Sequence, residues 1–268
     1  MTPSIQEHET IYSGPAPEPR AVRIPEPAAD DVAEVEGELN AFIMHVFIWI
    51  SGALLLSALF ANYSDRWNEG TVFVVTSRIL FLLVSGMLAL AFVLSRKVGN
   101  MAPNVAVAAL VGYSAMQGAL FGLTYHGAYS TSLAPVYLVI SVVFASLGVY
   151  GKWSGRDLTS MQSLWIGVAL APAFAALARP AFQLQTITAW AACIGSWLML
   201  ALLGYHRDFL RDLPSSFDDD PKWEKAGAIG ALQIYLDLVT IMVIVIQLRW
   251  LTSFFQDAKD EATKKPQP

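Results

Sequence analysis

Residues 229–248 read IGALQIYLDLVTIMVIVIQL, twenty residues that are almost wholly apolar except for a carboxylate, Asp237, about ten residues in from the start of the run. A stretch of this length spans a hydrocarbon core of roughly 30 Å at 1.5 Å per residue, so it reads as a membrane helix. An Asp at the centre of such a helix costs roughly 2.5 to 3.5 kcal/mol on insertion scales, and residues of this kind generally face a partner or a wet path. Gln233, Asp237, Thr240 and Gln247 fall within about one third of a turn at 100° per residue, which makes one polar stripe on the helix. That stripe must face the protein interior, because lipid offers no partner to an amide or a carboxylate. Helix-to-helix hydrogen bonding accounts for the two glutamines and the threonine. Asp237 calls for more than that, and it is the first candidate for a gate or an ion pathway.

The rest of the chain has the same character. It is 55% hydrophobic and 15% charged, with a mean hydropathy of +0.48. Six further apolar runs of membrane-spanning length start near Ala41, Val72, Val105, Ser132, Leu164 and Thr186, ahead of the seventh near Ala228. The expected fold is an all-α polytopic membrane domain over residues 39–253 with seven transmembrane helices. A Pro- and Glu-rich acidic segment, residues 1–38, precedes it and reads as a disordered tail. Residues 254–268 read as a short polar C-terminal tail. The first thirty residues lack the basic region, apolar core and cleavage site of a signal peptide, so insertion is expected to rely on the first membrane helix. Pro172, inside the fifth run, is expected to kink its helix.

Lys and Arg in the short loops set an orientation. Arg96 and Lys97, Lys152 and Arg156, and Arg207, Arg211, Lys222 and Lys225 follow the second, fourth and sixth runs. They outweigh Arg66, Arg78 and Arg179 on the other side. The even-numbered loops and the N-terminus are therefore expected in the cytoplasm; separately, the acidic Pro-rich tail and the lack of a eukaryotic targeting signal point to the inner membrane of a bacterium.

Several function classes lack their residues. A single cysteine, Cys193, leaves no intrachain disulfide and no multi-Cys metal site. A net charge of -5 without a large basic patch argues against nucleic acid as a partner. No phosphate-binding GxxxxGK[ST], GxSxG elbow or HExxH is present, so neither an enzyme nor a cofactor is expected. The acidic run Asp218 to Asp220 lacks the ligand spacing of an EF-hand and reads as a solvated loop. Ser114, Gly118 and Gly122, and likewise Ser163, Gly167 and Ala171, recur every four residues and mark close helix contacts. His45 and His126 stand isolated near helix ends, whereas His206 follows Tyr205 at the end of the sixth run.

Two stretches, VVFASLGVYGKWSGRDLTSM (residues 142–161) and GALQIYLDLVTIMVIVIQL (residues 230–248), resemble the corresponding segments of the Bax inhibitor-1 family. That resemblance implies six helices around a central seventh. It also implies a link to calcium leak, to pH-dependent gating and, in bacteria, to modulation of an ATP-dependent membrane protease. In the calcium-leak members an acid on the seventh helix pairs with an acid on the sixth, and bases at the end of the second help to hold the pore shut. Asp237 matches the seventh-helix acid and Arg96 the second-helix base. The sixth helix departs from the pattern: His206 stands where the family commonly has an acid. Asp208 is no simple substitute, since two residues along a helix turn it by about 200°.

Two carboxylates in contact share a proton, whereas a histidine and an aspartate attract. Such a pair is strongest between the ordinary ranges of the two side chains, roughly pH 4 to 6.5. The resulting expectation is a pH-responsive ion-leak channel or conductance regulator for calcium ions in the lipid bilayer. Asp237 and His206 form its latch, Arg96 competes for Asp237, and Asp208, Gln233 and Thr240 are secondary candidates. Two other readings are compatible with the residues: a regulatory protein that binds a membrane protease or other membrane protein through its acidic tail, and a proton-coupled transporter.

Overall fold

The computed structural model describes residues 29–70, 77–129, 132–154, 161–213 and 227–244. These residues are helical with no strand among them, as a chain must be if its backbone polar groups are to be satisfied inside lipid. The helices are α1 (Ala29–Gly70), α2 (Ser77–Lys97), α3 (Pro103–Tyr129), α4 (Ala134–Ser154), α5 (Met161–Phe182), α6 (Thr186–Tyr205) and the short α7 (Arg207–Asp212). The last, α8, is the span Gly227–Ile244. All but α7 contain a stretch long and apolar enough to cross a membrane, seven spans in all among the described residues. The chain is an integral membrane protein.

Two boundaries differ from the apolar pattern. Helix α1 begins at Ala29, well ahead of its apolar span at Leu39. The intervening sequence DDVAEVEGE is rich in helix formers, and its acids lie near the positive end of the helix dipole. Residues 1–28 lie outside the described residues, as do Arg156, the Asp218–Asp220 run, Gln247 and the C-terminal tail. In the second segment the described apolar span runs from Leu82 to Asn100, and the expected start near Val72 lies outside the described residues.

Helices α3 and α4 both lie along α1. Ser57 Oγ, fully buried, is 3.0 Å from the Ser114 carbonyl of α3. One turn further on, a Cβ added to Gly118 would lie 2.3 Å from the Ser57 carbonyl, and one on Gly122 2.8 Å from Ala61 Cα. The small-residue spacing on α3 is thus a backbone-to-backbone approach with no room for a side chain. On the other side of α1, Ser51 and Ser141 exchange hydroxyl bonds: Ser51 Oγ donates to the Ser141 carbonyl at 3.0 Å and Ser141 Oγ to the Ser51 carbonyl at 2.8 Å.

In the α5–α6 hairpin, Gly167 takes the tips of Leu200 and Leu147, and Ala171 is fully buried. Helix α5 continues through Pro172. A proline removes the hydrogen bond to the carbonyl four residues back, here Val168. The Trp197 indole N–H of α6 donates to that carbonyl at 3.1 Å, which resatisfies the freed acceptor.

Helix α8 is the innermost. Of its span 72% is buried, against 17 to 61% for the other six. It starts against α1, where a Cβ on Gly227 would meet His45 and Val46, and Gly230 rests on Leu210 of α7 and Val46.

The Gly118 contact gives a direct test. Gly118→Leu drives a side chain into the α1 backbone and is expected to cost about 3 kcal/mol or more, the upper range for overpacking. Gly112→Ala, with nothing within 4 Å of the added carbon, is expected to leave the melting temperature in detergent unchanged or slightly raised. Equal melting of the Gly118 variant and the wild type would contradict the packing described.

Candidate functional site

Asp237 is ten residues into α8, about 15 Å along the helix from Gly227. One turn before it, the Gln233 amide Nε2 lies 3.2 Å from Oδ1 and 3.1 Å from Oδ2 of the carboxylate. The stripe expected from periodicity therefore joins at Gln233 and Asp237. It does not extend through Thr240, whose hydroxyl donates back to the Leu236 carbonyl at 2.8 Å and is used up within its own helix.

His206 arrives from a break in the chain. Helix α6 ends at Tyr205, α7 begins at Arg207, and His206 between them sits at φ -88, ψ 13. Backbone bonds run through the break, from His206 N–H to the Leu202 carbonyl and from Leu210 N–H to the His206 carbonyl, both 2.9 Å. The corner is thus hydrogen-bonded yet not helical, and α7 runs on from α6 past α8, with Leu210 against Gly230. The imidazole lies edge-on to Tyr205 and Phe209, with ring centroids 5.0 and 6.2 Å away. Its Nε2 is 2.5 Å from Asp237 Oδ2, with the two side chains 14% and 27% exposed. An ionised carboxylate only accepts hydrogen bonds, so Nε2 carries the proton in this contact. A bond this short between these groups belongs to the charge-assisted kind.

The second-helix contribution comes from a residue that the sequence reading passed over. Gln233 Nε2 also lies 3.1 Å from Ser95 Oγ, and Ser95 Oγ lies 3.5 Å from Gln233 Oε1. Ser95–Gln233–Asp237–His206 is one connected chain from α2 through α8 to the α6–α7 corner. Arg96, expected to compete for Asp237, is exposed, with its guanidinium carbon 4.3 Å from the centroid of the Phe92 ring one turn earlier. Adjacent helical residues point about 100° apart, so the helix that turns Ser95 to α8 turns Arg96 away. Asp208 is likewise exposed and does not join the pair.

On another side of α8 a second polar group, also missed in the sequence, is wholly buried. Tyr235 hydroxyl donates to Gln117 Oε1 of α3 and lies 2.6 Å from Ser57 Oγ of α1. Gln117 Nε2 donates to Tyr137 of α4 at 2.6 Å. Tyr113 presents its edge to the Tyr235 ring at 6.3 Å and donates its hydroxyl to the Met87 carbonyl of α2 at 3.3 Å. Tyr, Gln and Ser side chains hold no proton that ordinarily titrates near neutrality. The central helix therefore has a neutral attachment to α1, α3 and α4 and a second one, through the His206–Asp237 contact, to the α6–α7 corner. The aromatic and amide residues of the neutral group are scattered through apolar runs, and only α8's YLD triplet hints at it.

Comparison with known proteins gives a consistent result. The family described as "Inhibitor of apoptosis-promoting Bax1" matches residues 39–255. The Escherichia coli K12 inner membrane protein YbhL is 22% identical over 225 residues, 83% of this chain and 96% of that protein. An uncharacterized protein of Deinococcus radiodurans is 28% identical over 211 residues, 79% of this chain and 90% of its own length. The Lactococcus lactis protein YrjE is 24% identical over 219 residues, covering 78% and 90%. No solved structure matches.

The neutral attachment is testable apart from the other. Tyr235→Phe strands Gln117 and is expected to cost about 1 to 3 kcal/mol, the desolvation penalty of a buried polar group left without its partner. The loss of melting temperature should be the same at about pH 5.5 and about pH 8, because no group involved ordinarily titrates between them. A loss confined to one of the two pH values would contradict a neutral attachment.

Proposed function

The chain belongs to the Bax inhibitor-1 family, and from that premise we propose that it is a pH-responsive ion-leak channel or conductance regulator of a bacterial inner membrane, calcium being the ion, with His206 and Asp237 as its latch. One observation carries the reading: the 2.5 Å contact between His206 Nε2 and Asp237 Oδ2, which ties the break after α6 to the middle of the innermost helix. While the imidazole is protonated and the carboxylate ionised, the two charges cancel and the corner is held on α8. At higher pH a neutral imidazole still donates to the ionised carboxylate, but the attraction between opposite charges is gone. The corner is then freer to move, and Asp237 presents a net negative charge to a cation.

The donors near that carboxylate suit passage rather than storage. Asp237, Gln233 and Ser95 offer hard oxygen atoms, the type that calcium takes. They are far fewer than the six to eight ligands of a tight site, so an ion here keeps much of its water and leaves readily. The role proposed is non-catalytic: the side chains hold and release charge. The latch lies on the side of the basic loops, the cytoplasmic side by the distribution of Lys and Arg.

Calcium flux into proteoliposomes, measured across pH, tests the proposal. Wild-type flux is expected to be higher at about pH 7.5 than at about pH 5.5, a rise that requires His206. His206→Ala should give a high flux at every pH, since the carboxylate stays while its counter-charge is gone. Asp237→Asn should give a low flux at every pH. Wild-type flux no greater than that of empty vesicles, or an unaltered pH profile in His206→Ala, would contradict the latch.

A further inference from the structure

The reciprocal Ser51–Ser141 bonds close α1 on α4 at one level. One turn further toward the start of α1, Phe47 and Phe144 stack at 5.4 Å with an interplanar angle of 29° and fill the inner side of the crossing. Outside these rings the helices leave a groove of about 320 Å³. Met44 and Ile48 of α1 form one wall and Val149 of α4 the other, and the small residues Ala145 and Gly148 give it depth. Its lining is apolar apart from Ser51 at the clasped end and Lys152 at the other.

Lys152 is exposed in the last turn of α4, and no carboxylate among the described residues forms an ion pair with it. Beside it, Trp153 is 84% exposed, in the position of an indole at a membrane–water interface. Ile48 and Val149, on its two walls, are about half exposed on the outer surface of two membrane-spanning helices, where the surrounding medium is hydrocarbon. An unbranched hydrocarbon chain has the slender shape that the groove admits. At its open end a lysine whose stem lies along apolar surface carries its charge to the headgroup level.

We propose that this groove is a lipid site: one acyl chain of an anionic glycerophospholipid lies between α1 and α4 below the serine clasp, and Lys152 holds its headgroup. The charge selects an anionic over a zwitterionic lipid, as basic pockets between membrane helices do. The site is formed by α1 and α4 alone and does not depend on the His206–Asp237 latch.

Native mass spectrometry of the full chain, released from micelles doped equally with phosphatidylglycerol and phosphatidylcholine, tests this. The wild type is expected to retain phosphatidylglycerol about fivefold over phosphatidylcholine, the order that one lysine near an anionic headgroup supplies. Lys152→Gln should erase the preference while one lipid is still held. Ala145→Phe, which fills the groove from an exposed position, should release the lipid with the melting temperature unchanged. Equal retention of both lipids by the wild type, or a preference that survives Lys152→Gln, would overturn the proposal. So would a dimer that Ala145→Phe dissolves, because the occupant would then be a second copy of the chain.

Discussion

A carboxylate halfway along the most buried helix of a membrane bundle must be compensated, and the contact between Asp237 and His206 is the compensation on which the arrangement turns. The partner has to reach the middle of α8. His206, at the break between α6 and α7, delivers the imidazole. Gln233 shares the same carboxylate and also reaches Ser95, so the end of α2 is joined to the same centre. His206, Asp237 and Gln233 thus connect α2, α8 and the α6–α7 corner.

The two sides of α8 differ in kind. Toward α1, α3 and α4 the helix is fixed by Tyr235, Ser57 and Gln117, all fully buried, within a framework where glycines bring α3 onto the α1 backbone. Neutral hydrogen bonds and contacts between backbones do not change with pH over the physiological range. Toward the α6–α7 corner the helix is fixed by the His206–Asp237 contact, which on the proposed reading is released as pH rises. A bundle built this way has a stationary half and a releasable half. The indole of Trp197 satisfies the carbonyl freed by Pro172 and so joins α5 to α6 ahead of that corner.

Much of this is legible in the sequence because membrane helices announce themselves by length and apolarity. The seven spans, the interior position of Asp237 and the close approach at Gly118 and Gly122 all follow from spacing. The substitution of His206 for an acid needs only a knowledge of what residue type stands there. Partners whose identity depends on rotation between helices are harder to see. Ser95 lies beside the conspicuous Arg96, yet a rotation of about 100° separates the residue that faces α8 from the one that stacks on Phe92. Gln117 and Tyr137 stand alone in apolar runs, and only the meeting of α3, α4 and α8 gives them a shared purpose. Thr240 shows the converse: correct periodicity put it on the stripe, and a local bond to Leu236 took its hydroxyl out of it.

The His206–Asp237 contact fastens the α6–α7 corner to the core formed by α1, α3, α4 and α8. The most direct measurement is the distance between spin labels at Asp212→Cys on α7 and Asn100→Cys beyond α2, in a Cys193→Ser background, by double electron–electron resonance in nanodiscs. A single narrow distribution at about pH 5.5, broadening or shifting at about pH 8 and insensitive to pH once His206 is replaced by Ala, is the predicted result. Identical distributions at both pH values in the protein that retains His206 would contradict it.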